Sequence, residues 1–348
     1  MIDASDAPIG LAAAQVGSAS PVYGAKYPGR NLISEMLCKM ATSIPEILRP
    51  AAEEALAQLG ERASLWSEAQ RDGLLRAFAA SPFLRHWCLR HAERIEAALF
   101  DVSTARPPDA SAGEGFDAAL REYRNECMAA IAWREISATV SAEATTTALS
   151  RLAEDCLRAA LDFHWQSLVR RYGQPRHRDG ELMRFCVLGL GKLGGQELNF
   201  SSDVDLILAF SGHGQTDGEK SLDNEAFAIR LGQRLVASLH EPREQGFVFR
   251  VDLRLRPFGE KSPIAHSFAA MEEYYEAHGR DWERYAWIKA RPVAGDLAAG
   301  ADLIEMLQPF IYRKYLDFGA VRALRDMKAQ IDEQVRRRGH EQDIKLGW

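Results

Sequence analysis

The sequence predicts an α+β fold, mostly helical, with a small mixed sheet flanked by helices. Three observations predict it. Apolar residues recur at spacings of three and four through about residue 172. From about 173 they collect instead into short runs bounded by turn residues. Helical spacing returns at Glu225–His240 and again from Ser267.

Taken in order, residues 1–30 are rich in Ala, Gly, Ser and Pro, lack a period, and read as a flexible leader. Residues 31–172 read as an amino-terminal helical region. Ser81 before Pro82 has the form of an N-cap followed by proline in the first turn. Pro107-Pro108 and Gly113-Glu114-Gly115 mark a loop, and Ala118–Ile136 and Glu143–Leu168 are long helices. Trp133 and Trp165 fall inside these helical patterns and are expected to pack.

Residues 173–300 form the mixed core. Phe185–Leu188 is a buried strand, followed by the glycine-rich loop Gly189–Gly195 and a second strand, Asp203–Phe210. Glu225–His240 is an amphipathic helix, and Gly246–Leu255 alternates as a third strand. Ser267–His278 and Leu303–Arg337 are helical, and residues 301–348 open a further helical domain.

The bulk numbers exclude some classes. The 348 residues suffice for about two domains. A net charge of -6 gives no global attraction to nucleic acid. No apolar run has the length of a membrane span, and the acidic first residues do not open a secretory signal. The five cysteines are scattered without a C-x-x-C pair, which fits reduced thiols in a cytoplasmic protein.

The chemistry concentrates in the second and third strands. Asp203 and Asp205 flank one apolar residue, so on a strand both carboxylates share a face while Val204 and Leu206 enter the core. Adjacent like charges repel, and a hard divalent cation such as Mg²⁺ compensates them through oxygen ligands. In the third strand Phe249, Val251, Leu253 and Leu255 make an apolar face, and Arg250, Asp252, Arg254 and Arg256 share the other. Asp252 completes a candidate metal site, and the arginines are candidate phosphate ligands. Gly191, Lys192, Gly194 and Gly195 belong to a loop whose amides and ammonium suit a phosphate. Together these parts suit phosphoryl or nucleotidyl transfer.

Gly189-x-Gly191-x-x-Gly194 also fits a dinucleotide fingerprint, but only seven residues separate Gly195 from Asp203. That is too short for a βαβ crossover helix. A Walker loop fails because Leu193, not Ser or Thr, follows Lys192.

Gly191–Leu206 (GKLGGQELNFSSDVDL) resembles the nucleotidyltransferase motif of glutamine synthetase adenylyltransferases, within the DNA polymerase beta-like superfamily. The likeness resumes at Gly246–Pro257 (GFVFRVDLRLRP), Glu273-Tyr274-Tyr275 and Gly279–Asp296 (GRDWERYAWIKARPVAGD), and covers roughly residues 35 to 347. Members carry two such domains; the first removes AMP from a glutamine synthetase tyrosine by phosphorolysis, yielding ADP, and the second attaches AMP from ATP. The long helical lead-in and the Arg280-Asp281-Trp282-Glu283-Arg284 run resemble the first domain.

The resemblance therefore implies an adenylyl-removing nucleotidyltransferase. Asp203, Asp205 and Asp252 would bind two Mg²⁺ or Mn²⁺ ions, and Ser202 would hydrogen-bond the acid pair. Lys192 and the glycine amides would hold phosphate, and Arg254 and Arg256 would neutralise charge. Implied partners are glutamine synthetase, the PII signal protein, phosphate and ADP or ATP, with no nucleic acid and no membrane. Glu197 fits a salt bridge better than catalysis, and Trp282 fits a packed anchor. His164, His240, His266 and His278 lack ligand spacing. The family's segment continues past Trp348, so a truncated helical domain is expected at the carboxyl end. Two rivals stay open: ATP-dependent adenylylation of the same enzyme, and a non-catalytic module that binds glutamine synthetase or PII.

Overall fold

A computed structural model of the chain describes residues 44–101 and 105–312, together with 325, 328–330 and 333. The expected leader, the start of the helical region and most of the last predicted helix lie outside the described residues.

Helices occupy the chain up to Tyr172. α1 (Arg49–Gln58) and α2 (Glu61–Ser64) lead into α3 (Glu68–Ala80) and α4 (Pro82–Arg90). Ser67 starts α3 through a capping box with Gln70. Ser81 starts α4 by accepting the Leu84 amide at 3.2 Å, with Pro82 in the first turn as expected. α5 (Phe116–Ile136) and α6 (Ala142–Tyr172) are the two long predicted helices. α6 runs past the predicted end at Leu168 and stops at Gly173, whose φ of +83° takes the chain out of helical space.

The remaining elements alternate. β1 (Pro175–His177), β2 (Phe185–Gly189), the single turn α7 (Gly191–Gly194), β3 (Val204–Phe210), β4 (Gly214–Thr216) and α8 (Asn224–His240) come first. They are followed by β5 (Val251–Asp252), β6 (Ala265–Ser267), α9 (Phe268–Ala277), α10 (Asp281–Trp287), β7 (Arg291–Gly295), α11 (Leu297–Met306) and α12 (Gln308–Ile311). The sheet order is β5-β3-β2-β7, and β6 joins the edge of β3 further along. β2 is antiparallel to β3 and β7, whereas β5 and β6 are parallel to β3, so the sheet is mixed. β1 and β4 form a separate two-stranded ribbon.

Both faces of this sheet are covered, which is why β2 reads as a continuous apolar run. Phe185, Val187, Val204, Leu206 and Leu208 pack against α5, α6 and α8. Cys186, Leu188, Ile207 and Ala209 pack against Met271, Tyr275, Trp287 and Leu303 from the later helices. A further core, with Leu74, Phe78, Leu84 and Trp87, joins α1 to α4 with Ala129 of α5. Trp133 packs on that core, and Trp165 packs edge-on to Phe227 with ring centroids 5.2 Å apart.

Two predicted elements need correction. The third strand, expected over Gly246–Leu255, pairs only at Val251 and Asp252. The amides of Val248 and Phe249 are bonded to the Leu239 carbonyl at the end of α8, so they are not free for the β3 ladder. Phe249, Val251 and Leu253 do pack together, but Leu255 joins the opposite core, because the chain leaves the edge of β3 after Asp252 and returns at Ala265. The last helix, expected over Leu303–Arg337, starts instead at Leu297 behind the Asp296 cap and breaks at Leu307. Pro309 sits in the first turn of α12, where its missing amide and steric demand interrupt a continuous helix.

Candidate active site

The site is built where β3 begins. Its Val204 and Asp205 stand in register with Val251 and Asp252 of β5. Register partners share a sheet face, so Asp205 and Asp252 lie on the same side, and alternation from Asp205 places Asp203 there too. Val204 and Leu206 are fully buried on the other side. A hydrogen bond from the Val204 amide to the Arg250 carbonyl, at 2.8 Å, fastens the two strands just before the acids. On α8, His240 Nδ1 accepts the Val251 amide at 3.0 Å and so helps fix β5.

Electrostatics separate the three acids. Burial pushes the Asp205 carboxyl up to about 6, with Asp252 and Asp203 adding repulsion. Arg254 and Lys192 oppose that shift, which places both cations near the buried acid. Burial also raises Asp252, but hydrogen bonds from Arg254 outweigh it and hold that carboxyl below its ordinary value. The Arg254 side chain reaches both Asp252 oxygens, with Nη2 to Oδ2 at 2.5 Å and Nε to Oδ1 at 3.1 Å. Asp203 accepts from Arg250 Nε at 2.5 Å.

The three acids thus share a face, but two of them are turned onto arginines. Among the described residues, no three Asp, Glu, His or Cys side chains gather closely enough to enclose a metal ion. Arg250 and Arg254 compensate the charge of Asp203 and Asp252 here.

The glycine loop abuts the same face. The Leu190 amide donates to the Asp205 carbonyl at 2.9 Å. Gly191 has φ +54°, and a Cβ there would lie 2.7 Å from Asp205 Oδ2. Glycine is required on both counts. Gly194 is required for packing, since a Cβ would collide with the Lys289 and Gly189 carbonyls. The amides of Gly194 and Gly195 bond to Leu190 and Gly191 carbonyls, so they are not turned toward a ligand. The amides that open the turn, Gly191 to Leu193, have no intrahelical acceptors.

Other expected residues are placed differently. The Ser202 hydroxyl donates to Asn199 Oδ1 at 2.7 Å rather than to the aspartates. Arg256 donates to the carbonyls of Leu253, Glu260, Ser262 and Pro263, so it ties the 253–264 excursion together and is not available to phosphate. Glu197 forms the expected salt bridge, with Lys289 at 2.6 Å. Trp282 is 40% exposed rather than packed, and Trp287 is the buried anchor of α10.

Two arginines do more at the site than the sequence assigned to them. Arg250 was grouped with the charged face, yet it holds Asp203 and, through Nη2, the Ser201 carbonyl at 2.7 Å. Arg291 pairs with the buried Glu154 of α6 and donates to the Leu193 and Gly194 carbonyls, so it props the glycine turn from behind. Arg291 lies in the Gly279–Asp296 run, where the sequence assigned it no individual chemistry.

The helix-flanked mixed sheet defines an α+β domain of the nucleotidyltransferase-like class. The family model for glutamate-ammonia ligase adenylyltransferase matches residues 72–306. The chain belongs to this family. It is 45% identical over 325 residues to a bifunctional glutamine synthetase adenylyltransferase/adenylyl-removing enzyme of Thioalkalivibrio sulfidiphilus, covering 87% of this chain and 33% of that protein. It is 43% identical over 322 residues to the Hahella chejuensis enzyme of the same name, covering 87% of this chain and 33% of the relative. The chain spans about a third of the length of these relatives. Among the described residues, no helix is long and apolar enough to cross a membrane.

Proposed function

We propose that this chain is a metal-dependent nucleotidyltransferase module that removes AMP from adenylylated glutamine synthetase by phosphorolysis. The observation that carries this reading is the Asp205–Asp252 register, which puts acids from two strands on one face beside the glycine turn. The relatives' name supplies glutamine synthetase as substrate. The choice of removal over attachment rests on the Arg280–Arg284 run and the helical lead-in. PII belongs to the same reading as a regulatory partner.

The donor types suit Mg²⁺ or Mn²⁺ once Asp203 and Asp252 turn away from Arg250 and Arg254. Three carboxylates offer oxygen ligands, and buried Asp205 carries a charge that a cation would relieve. Asp203, Asp205 and Asp252 would hold two ions, which would neutralise charge on the phosphate groups. Arg250 and Arg254 would swing from the acids toward phosphate oxygens, taking the role that Arg256 cannot fill. Lys192 and the opening amides of the glycine turn would hold the attacking phosphate. In the reaction, a phosphate oxygen attacks the AMP phosphorus in line. The bond from phosphorus to the tyrosine oxygen breaks, ADP forms, and tyrosinate leaves and takes up a proton.

The test is to supply adenylylated glutamine synthetase with phosphate and Mg²⁺, and in parallel unmodified enzyme with ATP. ADP release in the first reaction, lost in Asp205→Asn, is expected. AMP attachment in the second alone would reverse the direction. Silence in both, with no metal-dependent nucleotide binding, would leave a binding module.

A further inference from the structure

Arg124 of α5 is half-buried, and no carboxylate among the described residues pairs with it. Its Nη1 donates to Asn125 Oδ1 at 2.9 Å, while its Nε is buried without an acceptor among the described residues. Three aromatic rings surround the guanidinium instead: Phe83, Phe247 and Phe249, with centroids 6.0, 5.9 and 5.6 Å away. Ring faces offset a cation only partly, and they accept none of the remaining N–H donors. A half-buried cation with an unpaired Nε is suited to a hydrogen-bonding counter-anion.

Room for one exists beside it. Arg124 lines a cleft of about 290 Å³ between α4, α5 and the 244–247 loop. Phe83, Trp87 and Phe247 give the cleft an apolar wall, and Arg90 adds a second cation. Glu122 and Glu244 also line it, but both are exposed, so water and salt screen them far more than Arg124 is screened. The volume lies near the lower end of small-molecule sites, about 300 Å³, and so suits a compact ligand.

We propose that this cleft is a binding site for a small oxyanion, a carboxylate or phosphate, whose oxygens take the Arg124 guanidinium fork while its body rests on Phe83, Trp87 and Phe247. The site is separate from the acid face. It adjoins it through Phe247, whose ring also faces the Arg250 guanidinium at 5.8 Å.

The experiment is calorimetric titration of the full chain in EDTA, with inorganic phosphate in one arm and benzoate in the other. EDTA removes divalent cations, so the outcome does not depend on the reaction proposed above. Saturable one-to-one binding of either probe, weakened at least tenfold in Arg124→Gln, is expected; the arm that responds tells which oxyanion the cleft prefers. If circular dichroism shows that Arg124→Gln is unfolded, the exposed variant Arg90→Glu takes its place, with at least threefold weakening expected. The proposal fails if neither probe gives saturable heat, or if binding is unchanged in the folded variants. It fails equally if Lys192→Ala, rather than Arg124→Gln, abolishes the heat, because the anion then sits at the acid face.

Discussion

Asp205 and Asp252 stand side by side across the parallel β3–β5 edge, one half-buried and, among the described residues, without an arginine hydrogen bond, the other gripped by Arg254. Burial, then Asp252, then Asp203 keep the Asp205 carboxyl near 6. A carboxyl raised in the folded state costs stability as pH climbs through the interval from its unfolded value, and the cost persists above it.

At pH 8 in EDTA, Asp205→Asn is therefore expected to raise Tm by several degrees. The removed penalty is on the order of 2–3 kcal/mol, at about 1.4 kcal/mol per pKa unit. Mg²⁺ should raise the wild-type Tm and leave the variant's nearly unchanged. Differential scanning calorimetry reads both shifts; a variant less stable than wild type in EDTA would contradict the desolvation argument.

On the metal-dependent reading, Arg250 would compete with a metal ion for Asp203. Their ion pair is about half exposed on both sides, so losing it costs little stability, under about 1 kcal/mol. Arg250→Gln should bind Mn²⁺ severalfold more tightly and turn over more slowly. Titration calorimetry alongside a phosphorolysis assay checks this, and weaker Mn²⁺ binding would argue that Arg250 supports the site rather than competing for it.

Glu154 is a buried carboxylate held by Arg291 and by Arg158, the latter at 2.8 Å. Arg291→Ala leaves Glu154 with one partner and removes the prop beneath Leu193 and Gly194. A loss of about 2–4 kcal/mol is expected, since removing one side of a buried pair strands its partner. Urea unfolding measures it, and a change below 1 kcal/mol would show that Arg158 suffices.

His164 reports on acid stability. The Ser238 hydroxyl donates to Asp117 at 2.6 Å, so it accepts from His164 Nε2 at 2.7 Å, and the ring is neutral with its proton on Nε2. Burial pulls the His164 pKa down from 6.5 to about 4. A depressed histidine leaves stability whole above about 6.5; protonation of the unfolded chain then erodes it as pH falls toward 4. Unfolding free energy should decline by on the order of 3 kcal/mol across that interval. His164→Gln should flatten the slope in urea titrations at pH 4 to 7, and an unchanged slope would assign it to other groups.

Much of the helical framework was legible because periodicity and capping are local. Ser81-Pro82 started α4 and Ser267 started α9 as read. The strands Phe185–Leu188 and Asp203–Phe210 were legible because a strand covered on both faces is an apolar run of limited length. The third strand misled because alternation states which residues are buried, not which backbone groups pair. Val248 and Phe249 are buried yet bonded to α8. β6 and β7 are short, and neither stood out.

Sequence alone determined the family, the helix-rich α+β class and the sharing of one face by Asp203 and Asp205, because alternation along a strand is a property of neighbours in the chain. Only the tertiary structure decided the partners. Arg250 rather than Arg256 meets an acid at the site, Ser202 serves Asn199, and Arg124 is enclosed by three rings. Side-chain reach and competing acceptors settle those pairings, and for Arg250 and Arg124 the partners come from residues far apart in sequence.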